Sequence, residues 1–150
     1  MPLDPAFIGR RYAPSRVYEV GREKIREFAS AIGDESEVYR DPAAAQALGH
    51  PDVIAPPTFA IVISSEVGRQ VVFDPELGLD YGRVVHGEQR FVHHRPIRAG
   101  DRLCGVLVVE NIRAAAGNDI LTTRVDVSTE DGELVTTAYS TLVARAAERS

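Results

Sequence analysis

Tryptophan is absent from this 150-residue chain, and cysteine and methionine occur once each. A lone cysteine excludes an internal disulfide framework and a multi-thiolate metal centre. Cys104 lies inside an apolar run, so a buried, reduced thiol is expected, which fits the cytoplasm. Also missing is any run of about 18 apolar residues, so no membrane-crossing helix is expected and no membrane partner. Residues Met1 to Tyr12 lack a basic stretch followed by an apolar one, and no secretory signal is read there. Basic excess is missing too: 17 Lys and Arg face 22 Asp and Glu, a net charge of -5. Nucleic-acid binding, which needs a cationic face, is thereby disfavoured. One segment runs against this balance, with Arg83, Arg90, Arg95, Arg98 and Arg102 opposed by Glu88 and Asp101. These arginines are read as scattered solvated charges, the alternative being a patch that steers an acidic carrier protein or a cofactor phosphate.

What is present describes an ordinary globular chain, 44% hydrophobic and 26% charged, with no repeat and no linker, so residues 1–150 are expected to form a single domain. Pro2, Pro5 and Pro14 mark an irregular lead-in that ends in a short strand, 17–20. Ile25, Phe28, Ala29 and Ile32 then fall at helical spacing, and Gly33 stops that helix. A second short helix is expected over 42–48, opened by its proline and closed before Gly49. The third, over 58–72, begins after Pro56 and Pro57 and is apolar on every side through Phe59, Ala60, Ile61, Val62 and Ile63, so it must be surrounded by protein. Strands follow over 84–94, 102–112, 121–129 and 134–144. Alternation is clean at Leu121, Thr123, Val125 and Val127, and Asp131-Gly132 supplies a hairpin turn. About five antiparallel strands wrapped around one central apolar helix make an α+β architecture, best satisfied by a hot-dog fold.

Two stretches carry a family resemblance. Residues 28–39 end in Gly33-Asp34-Glu35-Ser36-Glu37-Val38-Tyr39 and resemble the signature of MaoC-like (R)-specific hydratases, which in catalytic members reads Gly-Asp-x-Asn-Pro-hydrophobic-His. Residues 83–89 contain His86-Gly87-Glu88-Gln89, followed by Arg95-Pro96-Ile97 and Ala99-Gly100-Asp101. These are similar to the N-terminal, non-catalytic half of two-domain hydratases. With Ala55-Pro56-Pro57-Thr58-Phe59 ahead of the central helix, the layout resembles the accessory subunits of heterodimeric (3R)-hydroxyacyl-ACP dehydratases in fatty acid elongation.

The resemblance implies a fatty acyl-ACP or acyl-CoA ligand, a histidine-bearing hot-dog partner subunit and no cofactor. Dehydration removes a proton from C2 of the thioester and protonates the departing C3 hydroxyl, work for which imidazole, with a reference pKa of ~6.5, is suited. Asp34 stands at the family's aspartate, but Tyr39 stands at its histidine, and Ser36 and Glu37 replace Asn and Pro. A phenol of reference pKa ~10 is a poor base at neutrality. The chain is therefore expected to bind an acyl thioester without a complete catalytic dyad of its own.

Tyr39, Pro57, Thr58, Phe59, Ile63, His86, Gly87 and Gln89 are the candidate substrate-binding residues, and Asp34 the catalytic-position residue, read locally as a turn former. His86 is read either as a structural or interface residue or as a direct substrate contact, and Gly87 as allowing close backbone approach. His93 and His94 point to opposite faces of a strand, His50 stands in a loop, and no metal site is expected. Glu66, the acid in the middle of the central helix, is read with Ser64, Ser65, Arg69 and Gln70 as a solvated or interface side. The alternatives to the accessory subunit are a self-sufficient hydratase or thioesterase with an atypical residue set, and a stand-alone acyl-thioester-binding protein. A homodimer in the absence of the partner is also expected, because an open strand edge invites pairing.

Overall fold

Periodicity places the helices correctly, but tertiary contacts set their ends. The computed structural model describes residues 2–145. Helix α1 spans Arg22–Ala31 and buries Ile25 and Ala29, while Ile32, the last member of the expected stripe, lies beyond the helix and is exposed. Gly33 follows with φ of +75°, a conformation that an L side chain disfavours. Helix α2, Pro42–Ala47, is capped by the Asp41 carboxylate, which accepts from Ala43 N at 2.9 Å. Helix α3 spans Ile61–Val72 and starts later than its apolar pattern suggests. The amides of Phe59, Ile61 and Val62 each bond the carbonyl three residues back, so the preceding residues form tighter turns.

Five strands form one antiparallel sheet: β1 Tyr18–Glu19, β2 Val84–His93, β3 Arg102–Ala115, β4 Asn118–Thr129 and β5 Leu134–Ala144, in the order β1-β3-β4-β5-β2. β3 and β4 run longer than expected and meet at a two-residue turn, where Ala116 and Gly117 both have positive φ, 52° and 80°. Such a turn suits the right-handed twist of a hairpin, but Ala-Gly lacks the Asn or Asp that usually announces it.

The sheet curls around α3. Ile63, Val67 and Val71 pack into a core with Leu103, Leu107, Val109, Leu121, Val125 and Val127. A Cβ at Gly105 would lie 2.9 Å from Val67 Cγ2 and 3.0 Å from Val125 Cγ1, so a glycine lets the helix settle onto β3. Phe59 is fully buried and meets the rings of Phe28 and Tyr18 edge-on at 5.4 and 6.5 Å. This is the hot-dog arrangement expected from the sequence.

Three local expectations are corrected. Cys104 is half-buried, because its neighbours Leu103 and Gly105 take the inward positions of β3. The apolar first turns of the central helix are not enclosed on every side, since Ile61 and Val62 are half-buried, while Ser65, Glu66 and Arg69 are exposed as expected. Ser64, read as part of the solvated side, is buried at 6% exposure because it falls in line with Ala60, Val67 and Val71.

The two edges of the sheet differ. On one side the lead-in runs along β3, with Gly9 N, Tyr12 N and Ser15 N donating to the carbonyls of Val109, Leu107 and Gly105 at 2.8–2.9 Å. On the other, β2 pairs with β5 alone among the described residues, and Val85 and Val92 on it are exposed.

Candidate functional site

The expected site residues separate into a loop, a buried cluster and a groove. In the loop, Gly33 turns the chain out of α1 and Asp34 accepts the amide of Ser36 on Oδ1 at 3.1 Å. Glu37–Tyr39 form a single 3-10 turn, and Arg40 fastens it by donating to the Ser36 carbonyl at 3.1 Å and to Ser30 Oγ at 3.2 Å. Burial pushes the Tyr39 phenol above its ordinary value, and the neighbouring Asp34 charge and hydrogen bond push it the same way. The phenol therefore keeps its proton at neutral pH. That is the reverse of what a base working near pH 7 requires.

Phe59 and Ile63 form the buried cluster, at 0% and 3% exposure, and hold α3 on the sheet. Pro57 and Thr58 are exposed on the turn before the helix. Tyr39 and Pro57 line a small depression of about 340 Å³ with Pro56, His93, His94 and Ile97. His93 Nδ1 in this region lies 2.9 Å from Thr136 Oγ1.

The larger groove, about 560 Å³, runs between the outer side of α3 and the strands β4, β5 and β2. Ile61, Val71, Val72 and Leu142 supply apolar wall, and Ser64, Gln89, Thr123 and Ser140 supply polar groups. Phe73 and Tyr81 lie 5.3 Å apart at their ring centroids, are 52% and 64% exposed, and belong to its rim. Glu66 also lines it and pairs with Arg16 at 3.5 Å.

His86 and Gln89 reach the same groove through a backbone irregularity. Strict alternation would send residues three apart to opposite faces. Here β2 bulges between His86 and Glu88, so that His86 faces Leu142 and Gln89 faces Ser140 on β5. Those two β5 residues are themselves two apart and share a face, which brings His86 and Gln89 together. Gly87 sits in the bulge; a Cβ there would meet Thr141 O and Val143 Cγ2 at 3.4 Å, an ordinary contact, so steric room is not its contribution. Sequence reasoning missed Ser64, Thr123, Ser140, Leu142, Phe73 and Tyr81 as groove residues. Nothing local marks them, since they come from four separate stretches of chain.

The arginine-rich segment is largely neutralised in place. Arg95 donates to both oxygens of Asp101 at 2.9 Å and pairs with Glu133 at 3.0 Å, Arg102 pairs with Glu130 at 2.7 Å, and Arg83 pairs with Asp80 at 3.1 Å. Among the described residues no group of three or more His, Cys, Asp or Glu is placed to hold a metal ion. No helix among them is long and apolar enough to cross a membrane.

A sheet curled around one helix, with a groove beside that helix, defines a hot-dog protein. The chain belongs to the MaoC-like hot-dog dehydratases: residues 6–138 match the family described as FAS1-like, dehydratase domain region. It is 63% identical over 145 residues to a UPF0336 protein of Saccharopolyspora erythraea, covering 97% of this chain and 93% of that one. Among solved structures it is similar to a MaoC-like dehydratase, with 36% identity and a TM-score of 0.88 over 95% of this chain and 43% of that chain. This chain thus spans less than half the length of that protein. It is also similar to a chain of the C-terminally truncated HadBC (3R-hydroxyacyl-ACP dehydratase) complex from Mycobacterium tuberculosis, with 33% identity and a TM-score of 0.83 over 91% of this chain and 96% of that one.

Proposed function

We propose that this chain is the acyl-binding, non-catalytic subunit of a (3R)-hydroxyacyl-ACP or -CoA dehydratase of fatty acid elongation, working in the cytoplasm. The observation that carries the reading is the phenol of Tyr39 beside Asp34, held protonated where the family's catalytic members have imidazole. The 560 Å³ groove supports the binding half of the reading. Likeness to a chain of a 3R-hydroxyacyl-ACP dehydratase complex supports the second subunit.

The reaction interconverts a (3R)-hydroxyacyl thioester with a trans-2-enoyl thioester and water. The partner's aspartate and histidine move the C2 proton and the C3 hydroxyl. This chain takes up the acyl tail between Ile61, Val72, His86 and Leu142. Burying each methylene there contributes about 0.8 kcal/mol, enough for the groove to set chain-length preference. The bare edge of β2 is where the partner, or in its absence a second copy of this chain, extends the sheet.

Hydration of a long-chain trans-2-enoyl thioester tests the reading, with the purified chain alone and after mixing with a histidine-bearing hot-dog subunit. Turnover is expected only in the mixture. Comparable turnover by the chain alone would overturn the proposal.

A further inference from the structure

The groove carries a polar band that a plain alkyl chain cannot use. Gln89, Ser140 and Thr123 lie opposite one another on the neighbouring strands β2, β5 and β4, and Ser64 joins them from α3. Ser140 Oγ donates to Gln89 Oε1 at 2.6 Å. This leaves Gln89 Nε2 buried without a hydrogen-bond partner among the described residues, and Ser64 Oγ is in the same state. Ser64 is 6% exposed, and a helical serine commonly returns its hydroxyl to the carbonyl one turn back, a bond that is not made here. Buried polar atoms are nearly always paired, and two unpaired ones in a single groove point to a group that arrives from outside.

We infer that the groove selects acyl chains bearing a hydroxyl group at the depth of this band, which rests on the acyl-binding reading above. A hydroxyl both donates and accepts, so it can take the free amide hydrogen of Gln89 and exchange a bond with the Ser64 hydroxyl. It suits Gln89 equally if the amide is turned over and the oxygen becomes the free atom. The walls on either side of the band are apolar, through Ile61, Val71, Val72 and Leu142, and accept the methylenes that flank the hydroxyl. An unsubstituted chain would seal both unpaired atoms under hydrocarbon and offer neither a partner.

The test is titration calorimetry of the purified chain with acyl-pantetheines of one length, unsubstituted or carrying a single hydroxyl moved stepwise along the tail. Amide chemical-shift titration covers the weaker members. One hydroxyl position is expected to bind roughly tenfold more tightly than the unsubstituted chain, the gain of one net hydrogen bond. In the Ser64→Ala, Gln89→Met double variant that advantage should vanish, and the unsubstituted chain should bind more tightly than it does to the unaltered protein, because no unpaired polar atom is left beneath it. Ser64→Ala alone should remove part of the advantage, which keeps the test decisive if the double variant melts early. Equal binding of all members overturns the hydroxyl preference and leaves the accessory-subunit reading standing. Weaker binding of the unsubstituted chain by the variants would assign the band to the thioester carbonyl instead and also overturn it. No binding by any member removes both readings.

Discussion

In the loop from Asp34 to Tyr39, polar groups answer one another: Asp34 takes the Ser36 amide, Tyr39 turns toward Asp34, and Arg40 spans Ser36 and Ser30. Along the groove beside α3, Ser64 Oγ and Gln89 Nε2 are buried and answer nothing among the described residues. On the proposed reading, the loop that resembles the family's catalytic motif serves as architecture. The groove resembles a wall of the fold and keeps unspent binding capacity. Polar side chains are thus absorbed into a turn in one region and left buried and unpaired in the other.

The contrast can be broken most directly from the groove side. Leu142→Trp sets an indole among Ile61, Val72 and His86, and kcat/KM of the mixed complex for a long-chain substrate should fall on the order of a hundredfold. A short-chain substrate should be spared, and equal losses for both would mean that the tail lies elsewhere. On the loop side, Asp34→Ala removes a turn hydrogen bond and should cost about 1 kcal/mol of stability, read as a melting shift of about 2–4 °C. Activity of the complex should stay within about twofold; a large drop with an unchanged melt would return Asp34 to the chemistry.

The smallest effect concerns acid, and it is carried by carboxylates outside the loop and the groove. Asp52, bonded by Arg22, and Asp74, bonded by Tyr12 at 2.6 Å, are both held below the usual carboxylate value. A depressed folded pKa contributes stability that is present above the unfolded value and is lost as pH falls through the folded one. The melting temperature should therefore decline below about pH 5. Asp52→Asn and Asp74→Asn should each flatten that decline, and an unaltered slope in both variants would show that other carboxylates govern acid stability.

Legibility in the sequence followed the range of the interactions. The stripe Ile25, Phe28 and Ala29, the stop at Gly33, and the alternation from Leu121 to Val127 are local patterns, and the structure keeps them. The late start of α3 was not legible, because apolar content near Phe59 is equally served by tight turns that bury the same ring. Nor was the Ala116-Gly117 hairpin, whose positive φ at alanine is imposed by the strands it joins.

The sequence by itself determined the hot-dog order of helices and strands and the phenol at position 39, since periodicity, punctuation and side-chain identity are properties of the chain alone. Only the tertiary structure decided which residues share the groove. The register of β2 on β5 places the bulge beside Gly87, and with it His86 and Gln89 on one face. The packing of α3 over Gly105 turns Ser64 inward, toward groove residues that stand as far off in sequence as Thr123 and Ser140. Pairing across strands and the approach of a helix to a sheet are non-local, so no window of sequence carries them.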